Sequence, residues 1–251
     1  MLRAIRLVCV ALCLLAAPSD ARNPDAALLE RALAAGSQGD ATRAKELASQ
    51  AAATCGDAEG AAACQLATHI LLSRNFALRS LYTLSLEQAR EAVAVAKNST
   101  KEAQLSTWLI VAGAAARAGE IEEAEAAITA GQQLADELAA GAPPEDAHSM
   151  KLLRGMFGGP QALIYSARGE RVRAAGAQQT LIKTMRSFDP DHPNLAVELV
   201  TLADLQEEAA DPTGARESYA EAVALANRHH NLEVRDKARA ALVRLDAASA
   251  E

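Results

Sequence analysis

Apolar side chains recur along this chain three and four positions apart, the spacing of one face of an α-helix, and glycine, proline and aspartate punctuate the runs. The first stripe is Leu28, Leu29, Ala32 and Leu33, with Asn23 as its N-cap, Pro24 at the first helical position and Asp25 in the first turn. It ends near Gly36, and Gly39-Asp40 turns the chain into a second stripe of Ala44, Leu47, Ala48 and Ala51. A third helix is predicted from about Gly60 through Leu66, Ile70 and Leu71, continuing through Phe76 and Leu81. Ser85 with Gln88, and Ser99 with Glu102, read as capping boxes. The first opens a helix of Ala89, Ala92, Val93 and Ala96, the second a helix of Trp108, Val111, Ala112 and Ala115.

Gly119-Glu120 leads into Ala124, Ala127, Ile128 and Leu134, and residues 141–146, with Pro143-Pro144, read as a linker. Gly158-Gly159-Pro160 breaks the next helix, so Pro160 is expected to start a fresh segment through Ala162 and Tyr165. Gly169-Glu170 turns into Ala174, Ala177, Leu181 and Ile182. A helix opening at His192-Pro193 carries Ala196, Leu199, Leu202, Ala203 and Leu205; after a break at Ala210-Asp211-Pro212 its partner carries Ala215, Tyr219 and Ala222. The last helix, about 232–246, puts Val234, Ala238, Ala241, Leu242 and Leu245 on one face and basic residues on the other, as the end of a stacked array requires. No run of alternating β-branched residues supports a sheet. The fold class is all-α.

Composition strengthens this reading. Of the 251 residues, 61 are alanine, the best helix former and small enough for helices to approach closely. The net charge is −7 and no basic block occurs, so neither nucleic acid nor an anionic membrane surface is an expected partner. Residues 1–21 stand apart. Arg3 and Arg6 precede an apolar stretch at 7–17, and Ser19-Asp20-Ala21 offers a small-x-small cleavage site before Arg22, the pattern of an export signal. Eleven apolar residues fall short of the roughly 20 that span a bilayer. An exported protein is expected, in a bacterial periplasm or secreted. In that oxidising setting Cys55 and Cys64 are expected to pair, provided Cys64 sits one turn into its helix. A helix beginning at Asp57 would instead put Cys64 two turns up, about 10 Å along the axis and out of reach.

Aligned on the first alanine of each second helix, five copies share offsets 0, 4 and 7: Ala44-Ala48-Ala51, Ala89-Val93-Ala96, Ala124-Ile128-Gly131, Ala174-Gln178-Leu181 and Ala215-Tyr219-Ala222. Successive copies lie 45, 35, 50 and 41 residues apart. Each helical hairpin has two apolar faces and needs neighbours to cover them. The pattern resembles the tetratricopeptide repeat, and residues 192–222 resemble the longer variety found in kinesin light chains. Trp108, Ala112, Ala124, Ile128, Tyr165, Ala174, Leu199, Leu202, Ala203, Ala215, Tyr219 and Ala222 fall on its packing positions. The resemblance implies a right-handed superhelical solenoid of about five antiparallel helix pairs plus a C-terminal capping helix. Pairs would occupy 22–140 and 161–251, with an irregular insertion at 141–160.

The resemblance also implies a non-catalytic scaffold that holds a protein or peptide in a concave groove lined by first helices. By offset, the groove candidates are Val197, Val200, Asp204, Glu207 and Glu208 in the last copy, and Ser106, Leu109, Gly113 and Arg117 in the Trp108 copy. The three acids would suit a basic peptide segment. Val200-Thr201 stands where the kinesin-light-chain variety usually has paired asparagines, so that variety's grip on a peptide backbone does not carry over. No phosphate loop, zinc motif, nucleophile elbow or dinucleotide fingerprint occurs, and no cofactor is expected. The rival reading is an exported metal-dependent enzyme using His192, His229 and His230; a third is a purely structural homo-oligomer.

Overall fold

The computed structural model describes residues 25–55, 61–143, 146 and 152–248. The leader at 1–21, Asn23, Pro24 and Pro144 lie outside them. Among the described residues there are eleven α-helices, one short 3-10 helix and no strand. By contact, the chain divides into two compact units, Met1–Met150 and Lys151–Glu251.

In the first unit, α1 (Ala26–Ser37) pairs with α2 (Ala41–Ala53), α3 (Ala61–Leu78) with α4 (Tyr82–Ala96), and α5 (Lys101–Ala118) with α6 (Ile121–Gly141). Helix α4 packs on α5, and α1, α2 and α5 each touch α3. In the second unit a 3-10 turn (Leu153–Phe157) runs into α7 (Gly158–Ala167), which pairs with α8 (Arg171–Phe188). Helix α9 (Leu195–Glu208) pairs with α10 (Pro212–Arg228), α8 packs on α9, and α11 (Leu232–Ala248) covers α10. Five pairs and a closing helix result.

The first alanine of every copy, Ala44, Ala89, Ala124, Ala174 and Ala215, is 0% exposed. Such complete burial places these methyl groups inside the close-packed contacts between helices. Around the first of these alanines, Leu29, Leu47, Leu72, Phe76 and Leu84 form a core shared by the first two pairs. Gln178 stands where the repeat pattern has a large apolar residue, and it is buried too. Its amide Nε2 donates to the Glu198 carbonyl at 3.1 Å and to the Glu198 carboxylate at 2.7 Å, joining α8 to α9. Val93, by contrast, is only half-buried.

The turns inside the pairs use a left-handed residue, which lets a helix end and the chain reverse at once. Gly39, Gly119 and Gly169 adopt φ of +84°, +83° and +73°, each five residues before its copy's alanine. Ala210 holds the equivalent place in the last pair at φ +60°, where a Cβ is strained. Asp40 and Asp211 then cap α2 and α10, accepting from the amides of Arg43 and Gly214 at 2.9 and 3.0 Å.

Several boundaries differ from the sequence reading. Asp25 caps α1, its carboxylate accepting from Ala27 and Leu28. Ser85 and Gln88 are no capping box: the chain reverses at Ser80, α4 starts at Tyr82, and both residues lie buried inside it. There they serve α3, with Ser85 Oγ 3.2 Å from Ser73 Oγ and Gln88 Oε1 accepting from His69 Nδ1 at 2.9 Å. Thr100, rather than Ser99, caps α5 through Ala103 N–H. Helix α3 stops at Leu78, leaving Leu81 to open the next turn. The fresh segment expected from Pro160 begins two residues earlier, at Gly158, directly after the 3-10 turn ends at Phe157. A Cβ at Gly158 would lie 2.4 Å from the Ala177 carbonyl, so α7 starts in backbone contact with α8. The helix expected to open at His192 starts later: α9 begins at Leu195, and His192 Nδ1 accepts the Asn194 N–H at 3.1 Å.

Cys55 and Cys64 form a disulfide with a Cα separation of 5.7 Å, and both are buried. Cys55 follows α2 and Cys64 sits one turn into α3, so the bond ties the first pair to the second. Reducing it should lower unfolding free energy by about 2–3 kcal/mol in the chain-entropy model. Urea melts with and without reductant would show this, and coincident curves would refute it. Ala210→Gly should relieve the left-handed strain and raise stability by up to about 1 kcal/mol. A lowered urea midpoint for that variant would contradict the assignment.

Candidate partner-binding surface

Helix α9 carries the candidates of the last copy along its length. Val197 is 41% exposed, whereas Val200 is buried and offers no side chain to a partner. Asp204 and Glu207 lie nearly one turn apart and converge on the hydroxyl of Tyr219, which projects from α10. The Tyr219 hydroxyl donates towards Asp204 Oδ1 and towards Glu207 Oε1, the latter 2.7 Å away. One O–H cannot serve both carboxylates at once, so the two acceptors share it. Burial first, and then the two carboxylates, push the Tyr219 phenol well above its ordinary pKa, so it stays a donor.

Helix α11 completes this cluster. Lys237 Nζ lies 2.9 Å from Asp204 Oδ2, and Arg244 Nη2 donates to both Glu207 oxygens at 2.6 and 2.7 Å. The two acids that the sequence offers to a basic peptide are therefore paired within the unit, where they hold α9, α10 and α11 together. Glu208 is the third acid, and its carbonyl accepts from Arg171. The basic face of the last helix was legible in the sequence. Its meeting with these acids was not, because nothing in a single helix's pattern tells which neighbour it will face.

In the first unit, Ser106 is buried and its hydroxyl donates to the Glu102 carbonyl, so it too drops out as a groove residue. Leu109 is half-buried, Gly113 is buried, and exposed Arg117 donates from Nη1 to the Gly113 carbonyl at 3.1 Å. The same offsets, counted back from Ala89, fall on Leu71, Arg74 and Leu78 of α3, which the sequence reading did not pick out as a surface. Leu71 is 39% and Leu78 82% exposed, and Arg74 is exposed as well. The fixed distance from the signature alanine was the signal that could have found them.

The packing candidates Ala112, Ala124, Ile128, Ala174, Leu199, Leu202, Ala203, Ala215, Tyr219 and Ala222 are all buried. Trp108 and Tyr165 are only half-buried, and the Arg173 guanidinium lies 4.1 Å above the Tyr165 ring. His192, His229 and His230, the residues of the enzymatic reading, have separate local surroundings among the described residues. His230 sits in a left-handed turn, His192 receives a backbone amide, and His229 Nε2 lies 3.5 Å from Asp191 Oδ1, an oxygen that also meets Arg228. Among the described residues no group of three or more histidine, cysteine, aspartate and glutamate side chains converges, and no helix is long and apolar enough to cross a membrane.

A second regularity emerges on the second helices. In three copies the basic residue immediately after the signature alanine reaches an acid on another helix: Lys45 of α2 to Glu87 of α4 at 2.5 Å, Arg90 of α4 to Glu123 of α6 at 2.5 Å, and Arg216 of α10 to Asp246 of α11 at 3.0 Å. Arg90 holds the Glu123 carboxyl below its ordinary pKa through this hydrogen bond. Each exposed pair contributes at most about 1 kcal/mol, but the repetition fixes how one pair sits on the next.

No family model and no curated protein matches the chain. Several solved structures share its architecture. One is the apo form of RapI, with a TM-score of 0.56 and 13% identity, covering 84% of this chain and 73% of that one. Another is TTC0263, a thermophilic TPR protein in Thermus thermophilus, with a TM-score of 0.50 and 17% identity, covering 86% of this chain and 98% of that one. At such low identities the likeness is one of fold, and on that evidence together with the five alanine-sealed pairs, this chain has the tetratricopeptide-type helical-repeat fold.

Proposed function

We propose that this chain is an exported, non-catalytic scaffold that holds a protein or peptide on the first helices of its pairs, in a bacterial periplasm or outside the cell. One observation carries the reading. Of the large apolar side chains left exposed, Leu71, Leu78 and Val197 fall on the offsets at which tetratricopeptide repeats present side chains to a partner. Exposed apolar groups at repeat-equivalent positions are better suited to being covered by another molecule than to chemistry. The charge and apolar pattern of residues 1–21 and the Cys55–Cys64 bond support export.

Two measurements test this. The mature protein from an envelope fraction should begin at Arg22; retention in the cytoplasm with residues 1–21 intact would refute export. A photo-crosslinking residue at Leu78 should trap a defined protein partner in cells, while one at the equally exposed Val172, on a second helix, should not. Equal trapping from both positions, or none from Leu78, would count against a first-helix binding surface.

A further inference from the structure

The surface formed by α3 and α5 has a chemistry of its own. On α3, Leu71, Arg74 and Leu78 stand three and four residues apart on one face, and Arg79 follows at the helix end. On the neighbouring α5, Leu109 and Gly113 stand at the repeat offsets of Arg74 and Leu78, and Arg117 follows four residues further on. The apolar side chains are exposed or half-exposed, so the face is a mixed strip of leucines and arginines.

The arginines on this strip differ from the basic residues of the second helices. Lys45 and Arg90 each end on a carboxylate of the following second helix. Among the described residues Arg79 donates only to Asn75, through its carbonyl at 3.2 Å and its side-chain oxygen at 3.4 Å. Arg117 donates only to the Gly113 carbonyl, and Arg74 meets no carboxylate among the described residues. A guanidinium has five donors in a fixed fork suited to a carboxylate, and most of these donors are unused here. Glu102, the acid on the same helix, lies at the other end of α5, about 22 Å from Arg117 along the axis, and Glu120, three residues beyond Arg117 at the start of α6, forms no ion pair with it among the described residues. In a chain of net charge −7, three arginines that pair with no carboxylate among the described residues, beside exposed leucines, set a local charge opposite to the whole. The second unit differs: there Lys237 and Arg244 already neutralise the acids at the equivalent offsets.

We infer that the α3–α5 face docks an acidic, leucine-bearing segment of a partner protein. Its carboxylates engage Arg74, Arg79 and Arg117, and its apolar side chains cover Leu71, Leu78 and Leu109. This rests on the reading of the chain as a scaffold and specifies the partner's chemistry, the reverse of the basic segment that the acids of α9 suggest from sequence.

The probe is an array of immobilised peptides of equal leucine content, graded from acidic to basic, incubated with the full mature chain. Binding should rise with peptide acidity and weaken with salt. Arg74→Glu combined with Arg117→Gln should reduce affinity for the acidic peptides about tenfold or more. Glutamine is chosen at 117 because an acid in the last helical turn would itself destabilise α5. Leu71→Ser with Leu78→Ser should weaken binding at all salt concentrations, and Val172→Ser should leave it unchanged; helical circular dichroism confirms that each variant is folded. Peptide binding that ignores charge or favours lysine overturns the inference while the scaffold reading stands, and so does full affinity in the arginine double variant. Absence of binding to every peptide, together with no crosslinked partner from Leu78, removes both.

Discussion

The structure depends on how closely its helices approach at five alanines. Ala44, Ala89, Ala124, Ala174 and Ala215 are sealed from solvent, and each sits where a second helix meets its neighbours. A methyl group buries little area, so no single contact dominates. What the small side chain provides is proximity, which lets the backbones and the larger residues around them reach van der Waals contact. Phe76, Tyr219 and Leu199 supply buried bulk in these pairs, and Gly158 takes the same logic further by letting α7 touch the backbone of α8.

Close helices also bury polar atoms, and each such atom needs a partner. Gln178 meets Glu198, His69 meets Gln88, and the Ser218 hydroxyl donates to Gln206 at 2.7 Å. These bonds run between helices and are satisfied only when the neighbours are in register. They therefore add specificity to contacts that alanine methyls alone would leave slippery. The basic residues at the position after the signature alanine act the same way on the outside, linking second helices in succession.

This economy has a functional side. Where a groove position carries an acid, as at Asp204 and Glu207, a following helix with basic residues can engage it, and α11 does. Closing the last pair and exposing its acids to a partner are incompatible uses of the same carboxylates. On α3 and α5 of the first unit, the arginines and leucines at these offsets meet no such helix among the described residues. The two units thus present different chemistry from equivalent repeat positions.

By itself the sequence determined most of the helices and the turns at Gly39, Gly119 and Gly169, because 3.6-residue periodicity and left-handed glycines are local and leave a direct mark. It also pointed to the disulfide, but Cys64 is within reach only because α3 starts at Ala61, which the structure decided. Hydroxyl and amide groups at Ser85 and Gln88 misled, because a polar residue near a helix start and a polar residue satisfied by a neighbouring helix look alike until the neighbour is known. Only the tertiary structure decided which candidate surface positions are open. Val200 and Ser106 turned inward, Asp204 and Glu207 found partners some 30 residues away in α11, and Leu78 was left in solvent. The reason is physical: a periodic pattern says which face of a helix is apolar, whereas exposure and charge pairing depend on what a second, distant helix brings against the other face.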